Sequence, residues 1–363
     1  MFHNFKTAAV IFLSFISILY SQTVYSQHEE NKVEEAEEKF NPGEMIMEHV
    51  GDAYSWHIMT IGEHHVEIPL PVILYSKKSG FHVFMSSEFH HGHDSYEGFK
   101  IAEGKNNPLK GKIVEIIDGK EVRPFDFSIT KNTLSLFISS AILIWLFISV
   151  AGAYKKQPNK APKGIQSAME PLIVFIRDDV AKASIGEKKY MKYLPYLLTV
   201  FFFIFLNNLM GLVPIFPGGA NLTGNIAVTM VLALFTFVIT TFSGNKEYWV
   251  HIFNTPGVPW WLKIPVPLMP LVEFSGIFIK PFVLMVRLFA NILAGHIVAL
   301  GFFSLIFIFG AAYGVAAGYG GAVFSVAFTV FLGLLELLVA FIQAYVFTLL
   351  SALYFGMATE EHH

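Results

Sequence analysis

Three ionisable residues lie seven positions apart in an apolar run of the chain: Glu273, Lys280 and Arg287. At about 100° per helical residue, these three and Asn291 fall within about 40° of one another on one helix face. An arginine inside a membrane helix costs about 3 kcal/mol or more, so it normally faces a water-filled cavity or a charged partner. Because a guanidinium does not deprotonate in proteins, Arg287 can organise a proton path without relaying protons itself. The spacing indicates ion conduction within a membrane.

A second polar stripe lies in the last apolar run, where Glu336 and Gln343 are again seven residues apart and within about 20° of each other on a helix. Tyr354 falls close to the same stripe. Each group also has a less specific interpretation. Arg287 can snorkel to the surface, Glu336 can be a helix-end carboxylate that reaches water, and Gln343 can form a structural hydrogen bond between helices. The apolar residues on both sides of Arg287 argue against snorkelling there.

Composition places much of the chain in lipid. Of its 363 residues, 54% are hydrophobic and 15% are charged, whereas soluble domains carry about 25% charged residues. The net charge of −3 and the absence of a long basic run give no reason to expect a nucleic-acid partner. The absence of cysteine excludes disulfides, thiolate metal sites and thiol nucleophiles. Since the sequence also lacks a nucleotide-binding Gly-rich loop and an H-E-x-x-H motif, we expect no enzyme on this chain alone.

Five apolar blocks predict an all-α polytopic membrane protein whose last two helices are long and tilted. We expect a membrane domain over 131–363, with helices at about 132–154, 194–215, 225–243, 264–309 and 322–357. The segment 155–193 is rich in lysine, whereas the loop after the second block carries no charge, so the positive-inside rule makes this segment cytoplasmic. Within it, residues 165–183 have the apolar spacing of a helix lying on the membrane surface.

The residues before the first block predict a small exported region with some β structure. Residues 1–26 are typical of a signal peptide, since the apolar run 8–20 is shorter than the roughly 20 residues of a membrane helix, which is the alternative. Residues 27–130 are then exported, and alternating residues over 56–85, with a turn at 76–80, predict strands. His64, His65, His90, His91 and His93 match no defined metal-site spacing. We expect a solvent-exposed His-rich loop and no metal.

Four segments resemble one known family. The run Arg287-Leu-Phe-Ala-Asn-Ile-Leu-Ala-Gly-His296 is similar to the signature helix of subunit a of the F-type ATP synthase. Gln343-Ala-Tyr-Val-Phe347, with Tyr354 and the tail from Met357, resembles that family's last helix. The segments 208–214 and 164–170 resemble its second membrane helix and its cytoplasmic segment. The resemblance runs from about residue 128 to the end, in the family's order.

The resemblance implies a proton-channel (stator) subunit of a bacterial ATP synthase. Such a subunit provides two half-channels that load and unload the carboxylates of a rotating c-ring, and so couples proton translocation to ATP synthesis. The implied partners are the c-ring, subunit b of the peripheral stalk, the rest of the synthase and membrane lipid, with no cofactor. The implied location is the inner membrane, with the N-terminal region outside and the C-terminus cytoplasmic. A secondary ion transporter, disfavoured because the halves show no internal repeat, and a structural membrane anchor are the alternatives.

The resemblance also implies roles for individual residues. Arg287 would attract the ring carboxylate and block leakage, Gln343 would orient Arg287, and His296 with Glu336 would form the polar pair of the outer half-channel. Further positions that the resemblance or the polar stripes place along the channel are Asn291, Asn208, Glu273, Lys280 and Tyr354. The family often has carboxylates where this chain has Gly211 and Phe216. The access route would therefore use other groups, with Asn207, Asn221, Thr223 and Asn225 as candidates.

Overall fold

The computed structural model describes residues 42–61, 64–92, 94–104, 107–156, 161–213, 216–253 and 268–360. The predicted signal peptide and the Glu-rich residues 29–39 that follow it lie outside these ranges. The described chain has two parts in sequence: an N-terminal region built mainly of short strands, and a helical part that begins at Lys131.

The N-terminal region begins with helix α1 (Pro42–Val50), followed by eight strands. The predicted strands between residues 56 and 85 are confirmed as β1 (Ser55–Ile61), β2 (His64–Pro69), β3 (Pro71–Ser76) and β4 (Gly80–Met85). Helix α1 and the later strands were not predicted: β5 (Phe99–Ile101), β6 (Ile113–Ile117), β7 (Lys120–Val122) and β8 (Phe125–Asp126). All pairings are antiparallel, with the orders β1-β2, β4-β3-β8 and β5-β6-β7.

The strands form because their residues alternate between a core and an outer face. In β3, Val72 and Leu74 are fully buried, and they pack in one cluster with Phe84, Phe99 and other apolar residues. The β3–β4 turn ends at Gly80, whose φ of 87° is costly for any side chain. The strand pairs thus enclose a small core of their own.

Only some of the histidine side chains of this region are described. His90 is in a 3-10 helix, Ser86–Gly92, and its Nδ1 is 3.2 Å from the Asp94 carboxylate on the surface. Within the described ranges, no group of three or more His, Cys, Asp or Glu side chains is placed to hold a metal ion. The side chains of His64, His65, His91 and His93 are not among those described.

Among the residues that the structure describes, five helices are long and apolar enough to cross a membrane: α2 (Lys131–Lys156), α4 (Tyr190–Leu212), α5 (Ile226–Ser243), α7 (Leu268–Tyr313) and α8 (Val315–Thr359). The predicted fold class is therefore confirmed. At about 1.5 Å per residue, α7 and α8 are each nearly 70 Å long, more than twice the thickness of the hydrocarbon core, so they must be strongly tilted.

Helix α8 begins seven residues before its predicted start. The segment from Gly314 to Gly321 has the glycine content of a loop, which is why sequence patterning places the start of the helix too late. In the structure Gly318 packs directly on Gly310 of α7, where an added Cβ would lie 3.1 Å from the Gly310 Cα. These glycines therefore bring the two helices into backbone contact rather than forming a loop.

The lysine-rich segment between α2 and α4 contains helix α3 (Ile165–Phe175), a π-helical turn (Ile176–Lys182) and a last helical turn (Ala183–Ile185). Its apolar side buries Ile176 and Val180 in the main helical core. On its polar side Arg177 and Lys182 both bond the Asp178 carboxylate and hold the pKa of that group well below its usual range. One further short helix, α6 (Lys246–Phe253), follows α5.

Helix α8 is the central packing element, because it contacts α4, α5, α7 and the end of the α3 segment. Its closest approach is at Gly356, where an added Cβ would collide with the carbonyl oxygen of Ser184. This glycine lets the helical turn Ala183–Ile185 pack on the end of α8.

We predict that Gly356→Ala destabilises the protein, by about 1–3 kcal/mol or more, because the colliding atom belongs to the backbone and cannot swing away. The thermal unfolding midpoint of the purified protein in detergent is the measurement. Gly276→Ala is the matched control, since an added Cβ meets nothing within 4 Å there. Equal midpoints for the two variants would contradict the packing.

Candidate functional site

The candidate site is built on the antiparallel pair α7 and α8, whose register is set by contacts along its length. Phe302 stacks on Phe328 with ring centres 4.8 Å apart. Near the opposite end, the Lys280 Nζ lies 5.8 Å from the centre of the Tyr354 ring. With this register, the polar residues of the two predicted stripes meet at matching levels.

Four predicted site residues line one cavity of about 250 Å³, here called the glutamate cavity: Asn208, Asn291, His296 and Glu336. The His296 Nδ1 is 3.7 Å from the Glu336 Oε1. That oxygen is buried and has no hydrogen-bond partner among the described residues. A buried carboxyl oxygen in this condition requires water or a proton to satisfy it. Both side chains are of types that can bind and release protons.

Gly295 determines where the Glu336 carboxyl can lie. A Cβ at this position would be 2.7 Å from Glu336 Oε1, closer than real Cβ contacts allow. The carboxyl group consequently packs on the bare backbone of α7, next to His296. Any side chain at residue 295 would displace it.

Asn208 is held rigidly on the cavity wall. Its Nδ2 donates to the Ala340 carbonyl at 3.0 Å, and its Oδ1 accepts from the Thr223 hydroxyl at 2.6 Å. These two bonds join α4 to α8 and to the loop before α5. Thr223, one of the predicted access-route candidates, therefore acts on the cavity through Asn208.

The remaining access-route candidates are placed differently. Asn207 donates to the Phe203 carbonyl of its own helix, and Asn225 is the N-cap of α5, since its side chain accepts from the Ala227 amide. Asn221 lines a second cavity of about 560 Å³, here called the vestibule, together with Val50, Gly211 and Thr329. The vestibule shares His296 and Glu336 with the glutamate cavity.

A third cavity, of about 120 Å³, contains the predicted residues Glu273 and Lys280 and is here called the lysine cavity. Four polar residues that sequence reasoning missed also line it: Glu247, Tyr248, His251 and Glu360. Burial and the Glu273 carboxylate raise the pKa of Tyr248. A narrow extension of about 20 Å³ continues between Lys280 and Tyr354.

Arg287 lies on α7 between the lysine cavity and the glutamate cavity. Counting along the helix at about 1.5 Å per residue, it is roughly 10 Å from Lys280 and 13 Å from His296. Its side chain is exposed, and it forms no ion pair with any carboxylate in the part of the chain that the structure describes. The flanking residues Leu284 and Leu288 are buried, so the arginine lies at the edge of the packed interface and is directed out of the bundle.

Gln343 lies at the level of Arg287. Along the helix pair, Lys280 contacts Tyr354 on one side of this level, and Gly295 contacts Glu336 on the other side. Unlike Arg287, Gln343 is buried, at 7% exposure. An amide at this place is available to orient the guanidinium from inside the bundle.

These features define a multi-pass membrane protein whose ionisable groups surround cavities between its last two helices. A family model described as ATP synthase A chain matches residues 133–356, and a model described as a domain of unknown function (DUF8433) matches residues 45–127. The chain belongs to the ATP synthase A chain family.

Similar curated proteins agree with this assignment. ATP synthase subunit a of Chloroherpeton thalassium is 47% identical over 251 residues, which are 67% of this chain and 70% of the relative. ATP synthase subunit a of Chlorobium phaeobacteroides is 49% identical over 247 residues, 66% of this chain and 68% of the relative. Subunit a 2 of Chlorobaculum tepidum is 50% identical over 246 residues, 66% of this chain and 65% of the relative. The predicted resemblance is thus confirmed.

We predict that Gly295→Ala lowers ion transport by the assembled complex by about tenfold or more, because displacing a reacting group by about 1 Å is enough for such a loss. ATP-driven acidification of membrane vesicles, followed with a pH-sensitive dye, is the measurement. Gly301→Ala on the same helix is the control, since an added Cβ meets nothing within 4 Å there. Normal acidification by Gly295→Ala would show that the position of Glu336 is unimportant.

Proposed function

We propose that this chain is the ion-conducting stator subunit of a bacterial F-type ATP synthase, with Arg287 at the contact with the rotating ring. Its family membership makes it a non-catalytic component of that complex. The observation that carries the residue assignment is the exposed Arg287 between two cavities that contain ionisable side chains. A permanent cation at that position needs an anion from another chain, because no carboxylate among the described residues pairs with it.

Arg287 acts on the ring through charge. A guanidinium within a few ångströms of a carboxylate stabilises the ionised form of that carboxylate. Each ring carboxylate therefore releases its proton as it reaches Arg287 and regains a proton after leaving it. Because Arg287 stays protonated, it also repels protons that would otherwise pass directly from one cavity to the other. Gln343 keeps the guanidinium in this orientation.

The two cavities supply the proton steps on either side of Arg287. His296 and Glu336 exchange protons in the glutamate cavity, and Asn208 and Asn291 line the route toward the ring contact. On the other side, Glu273, Lys280 and Tyr354 line the path from the lysine cavity, where Glu247, His251 and Glu360 collect or release protons. The two routes are offset along α7, so net transport requires rotation of the ring.

In the proposed orientation, the vestibule opens on the outer side of the inner membrane and the lysine cavity opens on the cytoplasmic side. Helix α2 connects the N-terminal region to the lysine-rich segment, so the predicted signal peptide and the positive-inside rule support the same direction. The exposed apolar faces of α7 and α8 around Arg287 are the surface for the c-ring. Subunit b of the peripheral stalk and membrane lipid would cover other exposed helix surfaces.

The bonding partners of Arg287 and Glu336 argue against the structural-anchor alternative. An anchor role requires Arg287 and Glu336 to bond neighbouring helices. Within the described ranges Arg287 has no ion pair, and the buried Glu336 Oε1 has no hydrogen bond. Buried polar groups with a structural role are normally hydrogen-bonded.

We predict that Arg287→Ala abolishes ATP-driven proton pumping in reconstituted vesicles while the complex stays intact by mass spectrometry. The reason is that the ring carboxylate is then no longer held in its ionised form. Arg123→Ala, which removes an exposed arginine of the N-terminal region, is the matched control and should pump normally. Undiminished pumping by Arg287→Ala, or purification of the chain without an ATPase, would overturn the proposed function. Loss of the complex itself would support the anchor.

A further inference from the structure

The N-terminal region contributes directly to the wall of the vestibule. Val50, the last residue of α1, lines this cavity together with the loop residue Asn221 and with His296, Thr329 and Glu336 of the long helices. Helix α1 itself packs against α7. The DUF8433 match contains Val50, whereas the ATP synthase A chain match contains the other residues of the vestibule. The two matched regions therefore share one cavity.

The chain after Val50 is firmly attached to the membrane helices. The Asp52 Oδ1 accepts from the Asn132 amide at 3.1 Å, and the Lys131 amide donates to the Ala53 carbonyl at 2.9 Å. The Trp56 ring, 3% exposed, meets the Phe216 ring edge-on with centres 5.1 Å apart. These contacts fix the segment Val50–Trp56 against the start of α2 and against the loop between α4 and α5.

Three polar atoms of residues that line the vestibule have no partner in the described chain, and the side chains of His296 and Glu336 are partly accessible, at 16% and 17% exposure. Asn221 Nδ2, Thr329 Oγ1 and Glu336 Oε1 are all buried and have no hydrogen-bond partner among the described residues. Buried polar atoms are normally paired, and water is the usual partner when the protein offers none. A cavity of about 560 Å³ has room for on the order of twenty water molecules at about 30 Å³ each. Water in this space would reach Glu336 without crossing an apolar layer.

We propose that the exported region forms part of the outer half-channel, with Val50, held in place by the segment that follows it, as the part of the wall past which external water reaches His296 and Glu336. The inference rests on the proposed function, because it assumes that these two residues exchange protons with the outside. It adds that proton access is controlled by a part of the chain outside the matched membrane family. It also accounts for Gly211 and Phe216: the first opens the wall of the vestibule, and the second seats Trp56.

Cysteine labelling tests the proposal cleanly, because the chain has no native cysteine. The synthase carrying Val50→Cys would be treated with a charged methanethiosulfonate reagent, reconstituted, and assayed for ATP-driven proton pumping. We expect labelling to lower pumping by about tenfold, since a bulky group then fills a water-filled passage. Removing the label with a reductant should restore pumping, which separates obstruction from damage. Wild-type synthase treated in the same way reports any reaction of the partner subunits.

Val83→Cys is the matched control, because Val83 is 59% exposed on β4 and does not line the vestibule. It should be labelled without loss of pumping. Labelled Val50→Cys synthase that pumps normally would overturn the proposal, as would a thiol at this position that the reagent cannot reach. In either case a loss of pumping in Arg287→Ala would leave the proposed function standing.

A second measurement covers the case in which Val50→Cys synthase fails to assemble. Thr329→Cys places the thiol on α8 inside the same vestibule. The external reagent should label it, and adding Val50→Trp should slow that labelling several-fold by narrowing the passage. An unchanged labelling rate would contradict the proposed route.

Discussion

The structure depends on one constraint: an arginine within an apolar helix must contact an anion or water. Arg287 pairs with no carboxylate within the described chain, and it lies on the exposed surface of the bundle, where another chain can supply the anion. Its buried neighbours Leu284 and Leu288 hold α7 against the core, so the guanidinium projects outward. The anion that pairs with Arg287 must therefore come from another protein. On this account the function is a consequence of an unsatisfied charge at a protein–protein contact.

The glycines of the last two helices determine how the polar groups are placed around that charge. Gly310 and Gly318 bring α7 and α8 into backbone contact near their connection, and Gly295 accommodates the Glu336 carboxyl beside His296. The hairpin register then sets Gln343 level with Arg287. Small residues thus act on the transport chemistry indirectly, because they fix the level at which each ionisable side chain meets the opposite helix.

Seven-residue spacing predicts a polar stripe on each long helix, because helical periodicity is a local property of the sequence. It did not predict that the α7 stripe is divided between two cavities. Glu273 and Asn291 are separated by about 27 Å of helix, which is too long for one cavity. Glu247, His251 and Glu360 were missed because they come from separate segments that only tertiary packing brings together. Val50 has no chemical signal at all, since its role lies in its position. The early start of α8 was missed because glycines that serve close packing resemble a loop in sequence.

The proposed function depends most on the pairing of Arg287 with a carboxylate of the rotating ring. The most direct measurement is a structure of the intact membrane complex, in which the distance from the Arg287 guanidinium to the nearest carboxylate is read. The account predicts that this carboxylate belongs to a ring subunit and lies within about 6 Å, directly or through one water. A guanidinium paired with Glu273 or Glu336 of its own chain, or one facing only lipid, would contradict it.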